Sequence, residues 1–270
     1  MPETIRICIG TERRTTVAQR VLEHSILSHV RPGAEVEFTL LDGEDWSGLG
    51  PEQQYTGFSF LRWTIPERFD WEGKAIYFDA DQLCLGDVSE LWNADQSWPA
   101  EEGSCVWCTF YPRRKRRRWL PFTHSSEGVP ETSVMLIDCA RARGKLLPLE
   151  EIEARMVGDR ELVRYREVMH LSYLVPPPVE IPQWWNLMDG WGRRMKHFGD
   201  ARARLLHFTD VPKQPWYFPD HPKRHLWEKY LQSALDAGYV SRAEIADACD
   251  KFELDAGRPD GMHPYWRKYA

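Results

Sequence analysis

Residues 74–81 read Lys74-Ala75-Ile76-Tyr77-Phe78-Asp79-Ala80-Asp81, a short apolar run that ends in two carboxylates one residue apart. Preceded by the Asp70-Trp71-Glu72-Gly73 turn, such a run reads as a strand buried on both faces, the kind found inside a largely parallel sheet. Ligands of open α/β sheets bind beyond the carboxyl ends of the strands, which is where Asp79 and Asp81 fall. Two carboxylates so close repel each other unless a cation lies between them. Their hard oxygens suit Mg²⁺ or Mn²⁺, and a neighbouring imidazole tilts the choice towards Mn²⁺. Taken alone, the triplet fits a solvated Asp pair in a strand-end turn just as well.

The flanking sequence supplies the rest of the sheet. Ile5-Arg6-Ile7-Cys8-Ile9 alternates and is β-branched, and it reads as a first strand closed at Gly10. Thr15 or Thr16 opens a helix whose apolar positions (Val17, Val21, Leu22, Ile26, Leu27, Val30) recur at helical spacing until Pro32-Gly33. Val36 to Leu41 is a second strand, so residues 5–41 form a βαβ unit with an expected right-handed crossover. Phe58–Ile65 fits strand or helix. Cys105–Phe110 and Ser133–Asp138 read as further strands, 148–172 as a helix stopped by Pro176-Pro177-Pro178, and Arg204–Phe208 as a last short strand. Two amphipathic helices broken at Gly238 extend from Pro222 to about Phe252. The expected organisation is a catalytic unit over residues 1–220 with a helical C-terminal extension, 221–270, packed on the same domain.

Composition narrows the function classes. The 270 residues are 42% hydrophobic and 28% charged, an ordinary globular balance. Apolar runs fall well short of the roughly 20 residues of a spanning helix, and Met1-Pro2-Glu3-Thr4-Ile5-Arg6 lacks a secretory pattern, so a cytoplasmic protein is expected. Six cysteines are too sparse and irregular for a disulfide framework, and Cys105-Val106-Trp107-Cys108 has no second pair to make a zinc site. Of the 35 Lys and Arg, six stand together as Arg113-Arg114-Lys115-Arg116-Arg117-Arg118, so the rest of the chain is more acidic than its net charge of −6 states. Such a body repels a phosphate polymer, which disfavours nucleic acid as a partner. The run reads as a solvated loop, or as a recruiter of an anionic acceptor or an inner-membrane surface at about 1 kcal/mol per basic residue.

In chain order, several segments resemble the family 8 retaining glycosyltransferases and their bacterial relatives, whose fold is GT-A. They are Ile5–Gly10 with the loop after it, Phe60-Leu61-Arg62-Trp63-Thr64-Ile65-Pro66-Glu67, Lys74–Asp81, and Thr132-Ser133-Val134-Met135-Leu136-Ile137-Asp138-Cys139. The last is Leu206-His207-Phe208-Thr209-Asp210-Val211-Pro212-Lys213-Gln214-Pro215-Trp216. The resemblance implies an α/β, Rossmann-like GT-A fold with a mainly parallel sheet flanked by helices. It further implies a metal-dependent enzyme that moves a hexosyl unit, with retention, from a nucleotide-sugar, expected to be a UDP-sugar, to a glycan, lipid-linked or other small acceptor. By similarity, Asp79, Asp81 and His207 would hold Mn²⁺ (or Mg²⁺), and Lys213 would contact the diphosphate. Arg62 would help order the donor, and Gly10, Thr11 and Glu12 would border base and ribose.

Departures from the family pattern bear on sugar and acceptor. Glu131-Thr132 stands where the family has Asn. Pro182-Gln183-Trp184-Trp185-Asn186 is the nearest match to a catalytic-side loop, with Asn186 matching its Asn and Gln183 a loose stand-in for the residue beneath the anomeric carbon. Gln214 is inserted in the Lys-Pro-Trp signature, and Trp216 reads as packing. Two alternatives stay open on sequence grounds. One is a sugar-1-phosphate nucleotidyltransferase, although Gly10-Thr11-Glu12-Arg13-Arg14 lacks its glycine-rich loop. The other is a non-enzymatic polyanion-binding module using residues 113–118.

Overall fold

The computed structural model describes residues 4–43, 56–98, 100–111, 128–156, 161–189, 202–254 and 265–270. The basic run Arg113–Arg118 lies outside them. The first strand, β1 (Thr4–Thr11), is followed by helix α1 (Thr16–Leu27) and strand β2 (Glu35–Asp42). A 3-10 turn at Leu61–Thr64 and the short α2 (Ile65–Arg68) lead to β3 (Lys74–Asp79). Next come β4 (Gln82–Cys84), α3 (Val88–Trp92), α4 (Ala94–Ser97), β5 (Val106–Tyr111) and β6 (Val129–Asp138). The helices α5 (Cys139–Ala142), α6 (Leu149–Arg155) and α7 (Glu161–Met169) precede β7 (Val179–Glu180), β8 (Leu187–Met188) and β9 (Leu205–His207). Helices α8 (Arg224–Asp236) and α9 (Arg242–Leu254) follow.

The main sheet has the order β2-β1-β3-β6-β5-β7. Its pairs β1–β2, β1–β3 and β5–β7 are parallel, whereas β6 runs antiparallel to both β3 and β5. The mainly parallel α/β sheet is therefore as the sequence reads, with one strand reversed at its centre. Strict alternation divides the core between the two faces. Ile5, Ile7, Ile9, Ile76, Phe78, Val134 and Leu136 pack against α1 and α3 on one side. Cys8, Ala75, Tyr77, Met135 and Ile137 pack beneath α2 and α5–α7 on the other. This period of two is what a strand buried on both faces requires.

A second, small sheet, β4-β9-β8, covers the edge beyond β3, with Gln82 opposite His207 and Met188 beside it. Its strands have two or three residues, too few for a periodic signal. A third cluster joins α1 (Val17, Ala18, Val21) to Trp216, Trp227, Leu231, Val240 and Ile245, so the two C-terminal helices pack on the same α1 that covers the sheet.

The helix expected over 148–172 is two, α6 and α7, and the sequence between them carries Gly158, a poor helix former. Phe58–Ile65 resolves to turn and 3-10 backbone rather than strand. All six cysteines are buried free thiols. Burial pushes Cys105 up to about 11 and Cys108 higher still, which suits inert core residues rather than a redox pair. Among the described residues no helix is long and apolar enough to cross a membrane.

Candidate active site

Parallel pairing aligns Gly10 of β1 with Asp79 of β3. Because β6 runs the other way, its amino-terminal half meets the carboxyl ends of β3 and β5, with Val134 opposite Phe78 and Glu131 opposite Thr109. One edge of the sheet thus collects Asp79, Asp81 just past β3, Glu131 to Ser133, and Thr109. The small sheet brings His207 over this edge. Ligand atoms of Asp79, Asp81 and His207 all lie within 4.8 Å of one another.

The imidazole is held in one tautomer. His207 Nδ1 lies 3.0 Å from Asn186 Oδ1 and 3.3 Å from Ser133 Oγ. The amide oxygen can only accept, so Nδ1 carries a proton whatever the charge of the ring, and Nε2 is the nitrogen that faces the carboxylates. Asn186 is itself oriented, because its Nδ2 donates to Ser133 Oγ at 2.9 Å and Thr109 Oγ1 at 3.2 Å. A second layer that fixes tautomer and ring orientation is how proteins prepare a histidine for a cation.

Asp81 Oδ1 is fully buried and its near partner is His207 Nε2 at 3.2 Å, an ion pair when the ring is protonated. A buried carboxylate oxygen is costly unless a cationic group meets it, here the imidazolium or a metal ion in its place. In the cation-free cluster, burial opposes the charged imidazole, but Asp81 and Asp79 outweigh it and push His207 up to about 9. Burial also raises Asp79 above the ordinary carboxylate range, Arg62 opposing it and Asp81 adding to it. Two carboxylate oxygens and an imidazole nitrogen within 4.8 Å of one another form a donor set that fits Mn²⁺ or Mg²⁺, and the nitrogen favours Mn²⁺.

Arg62 is buried behind Asp79. It donates to Asp79 Oδ1 at 3.0 Å, to Thr132 O at 2.7 Å and to Ser59 O at 2.8 Å, and its guanidinium sits 4.6 Å from the Tyr77 ring centroid. Desolvation works against its charge, but Asp79 wins and the guanidinium stays protonated. Gly10 is packed against Tyr77 and Phe58. Thr11 is buried with its hydroxyl 3.1 Å from that of Thr15, and Glu12 Oε2 accepts from Gly57 N at 3.4 Å. Lys213 lies at the rim with its side chain 60% exposed, and Nζ donates to Asp210 Oδ2 at 3.0 Å. Gln183 donates to Phe110 O on β5 at 2.9 Å.

Several residues that the sequence did not single out as ligands complete the site. Tyr77 donates to Asp79, Gln214 to Asp81, and Ser133 Oγ both accepts from Asn186 and donates to Glu131. Asp189 accepts from Thr209 N and Oγ1 at 2.9 and 3.0 Å and lies 3.4 Å from His221 Nε2, which ties down the turn that follows His207. The signal for Tyr77 was available, since residues two apart on a strand share a face. Nothing local marked Gln214 or Asp189.

Comparison with known proteins places this geometry. A family model described as glycosyl transferase family 8 matches residues 24–218. Protein CDI of Arabidopsis thaliana is 26% identical over 204 residues, covering 70% of this chain and 71% of that protein. Among solved structures, the galactosyltransferase LgtC, crystallised with donor and acceptor sugar analogues, superposes with a TM-score of 0.61. It is 13% identical over 85% of this chain and 96% of its own. The glycosyltransferase GlyE of Streptococcus pneumoniae gives a TM-score of 0.54 at 16% identity, covering 88% of this chain and 64% of that one. At these identities the two structures establish a shared GT-A fold.

Proposed function

Because the chain belongs to glycosyl transferase family 8 and is a glycosyltransferase, we propose that it transfers a hexosyl unit, with retention, from a UDP-sugar to a small acceptor, with Mn²⁺ as cofactor. The observation that carries the reading is the Asp79–Asp81–His207 cluster at the carboxyl end of β3, with His207 Nε2 turned towards both carboxylates. A divalent cation bound there would offset the negative charge that grows on the diphosphate as the sugar departs. Asp79, Asp81 and His207 would hold it, and Ser133 and Asn186 fix the direction of the imidazole.

Lys213 adds a mobile positive charge to the leaving group. Its present partner, Asp210, is an exposed ion pair worth at most about 1 kcal/mol, so exchanging it for a diphosphate costs little. Gly10, Thr11 and Glu12 line the approach of base and ribose, Arg62 orders the donor side, and Gln183 and Asn186 serve as catalytic residues, Gln183 in the place beneath the anomeric carbon. With no carboxylate nucleophile assigned, retention follows from acceptor attack on the face the diphosphate leaves, and catalysis is positioning and electrostatics. Residues 221–270 buttress the 1–220 catalytic unit. We place the enzyme in the cytoplasm, with Arg113–Arg118 as its contact to an anionic acceptor or the inner membrane face.

A thermal-shift screen of nucleotides and nucleotide-sugars with and without Mn²⁺ tests the reading, since a ligand of the native state raises its melting temperature. A shift with one UDP-sugar that requires Mn²⁺ supports it. Equal shifts in EDTA contradict it.

A further inference from the structure

Near the carboxyl end of β5 its pairing with β6 is interrupted. Cys108 pairs with Met135, but the next residue, Thr109, pairs with Glu131, so Thr132, Ser133 and Val134 have no partner on β5. Bulges of this kind re-aim side chains beside active sites. This one is anchored on both flanks of Glu131. Thr132 Oγ1 donates to Met169 O at 2.9 Å, and His170 Nδ1 donates to Pro130 O at 2.9 Å. The Glu131 side chain is steered as well: its Oε1 accepts from Ser133 Oγ at 3.0 Å, and that same hydroxyl lies 3.3 Å from His207 Nδ1. Glu131 is half-buried, and its Oε2 has no partner among the described residues.

The carboxylate therefore stands one hydroxyl away from a ligand of the proposed cation. Against burial, Asp81 and Asp79, and after them Glu131, favour the proton on His207, so the Glu131 charge reaches the cluster. Arg62, the guanidinium behind Asp79, is already committed to Asp79 Oδ1, Thr132 O and Ser59 O. Glu131 thus presents to a ligand at this edge an anionic oxygen that only accepts hydrogen bonds.

We infer that Glu131 is a specificity-determining residue that accepts from hydroxyl groups of the donor sugar and repels a carboxylate there, so that the enzyme takes a neutral hexose rather than a hexuronic acid. This rests on the nucleotide-sugar reading above, because the sugar of such a donor hangs directly from the diphosphate that the cation would hold. Sugar hydroxyls donating to a carboxylate make charge-assisted bonds, roughly twice as strong as neutral ones. A hexuronate meets the same charge as repulsion, and Arg62 can neutralise it only by abandoning the buried Asp79. Attraction of one sugar class and rejection of the other together set the preference.

The test is isothermal titration calorimetry of the full chain in Mn²⁺ with UDP, UDP-glucose, UDP-galactose, UDP-glucuronic acid and UDP-galacturonic acid, for wild type and Glu131→Gln. The glutamine keeps an acceptor for Ser133 and removes only the charge, so UDP alone reads whether the metal centre is intact. Wild type is expected to bind a UDP-hexose at least about tenfold more tightly than the matching UDP-hexuronic acid. Glu131→Gln is expected to leave UDP affinity within about twofold and to weaken that UDP-hexose by about tenfold, the scale of a hydrogen bond to a charged group, while the discrimination against the hexuronic acid shrinks. Two results overturn the inference: a wild type that binds a UDP-hexuronic acid as tightly as its UDP-hexose, or a variant that loses equally for UDP and UDP-hexose, as a purely structural role through Ser133 and His207 requires. A wild-type chain that binds neither UDP nor any of these UDP-sugars in Mn²⁺ overturns the nucleotide-sugar reading instead, so the two failures are distinct. If Glu131→Gln loses its native circular dichroism, Glu131→Ala takes its place.

Discussion

Replacing Arg62 by Leu leaves Asp79 buried beside Asp81 with its main protein counter-charge gone. The pair is 3.0 Å apart, with side chains 4% and 14% exposed, so solvent screens it little. At an effective dielectric of about 20, unit charges at that separation attract by about 5 kcal/mol. Removing one member of a buried pair typically costs about 3–5 kcal/mol. Loss of the bonds to Thr132 O and Ser59 O adds to this, while partial protonation of Asp79, whose pKa burial already raises, takes some back. About 4 kcal/mol is the expected destabilisation, or roughly 8–16 °C in melting temperature for a chain of this size.

The assay is urea unfolding at pH 7 in EDTA, with Asp79→Asn and the double variant completing a cycle. The double variant should be more stable than the sum of the single losses implies, because it has no orphaned charge. Saturating Mn²⁺ should stabilise Arg62→Leu more than wild type, since the cation takes over the guanidinium's electrostatic role. An Arg62→Leu chain within about 1 kcal/mol of wild type, or an additive cycle, would falsify this account of the Arg62–Asp79 pair.

Other outcomes follow from the same structure. Asn186→Leu removes the acceptor that fixes the His207 tautomer and should weaken Mn²⁺ binding by about 10–100-fold by isothermal titration calorimetry, in a chain that still folds. Trp216, buried against Phe208 and Trp227, should cost about 3–5 kcal/mol as Trp216→Ala in chemical denaturation. Glu228 accepts from Lys268 at 2.8 Å, Arg224 at 3.1 Å and the Tyr269 hydroxyl at 3.2 Å; burial opposes its charge, but these donors hold its pKa below the usual value. Its contribution is present above the unfolded carboxylate pKa and lost as pH falls through the lower folded one. Glu228→Gln should therefore cost about 1 kcal/mol at pH 7 and progressively less in acid, measured by urea melts across pH.

The parts of the fold written locally were legible. Ile5–Ile9 and Lys74–Phe78 carry the alternation and β-branching of buried strands, and Pro32-Gly33 and Gly238 mark where helices stop. The direction of β6 was not, because strand polarity is set by partners far along the chain, and β4, β7 and β8 are too short to have a period. In the site, Asp79 and Asp81 stood out by their place at a strand end. His207 came from family order alone, since nothing in its neighbours says that the small sheet folds it over β3. Tyr77 looks like core in an apolar run, and only its shared strand face with Asp79 marks it, whereas Gln214 looks like a stray insertion until Asp81 is placed in space.

On the proposed function, Asp79, Asp81 and His207 act with a divalent cation to release a nucleoside diphosphate from a nucleotide-sugar. Its most direct test is nucleoside diphosphate release from a panel of nucleotide-sugars by the purified chain, in Mn²⁺ and in EDTA, beside Asp81→Ala. Release from one UDP-sugar in Mn²⁺, abolished by EDTA and by Asp81→Ala, is expected. Release that persists undiminished in EDTA, or pyrophosphate formed from a sugar-1-phosphate and UTP, would contradict it.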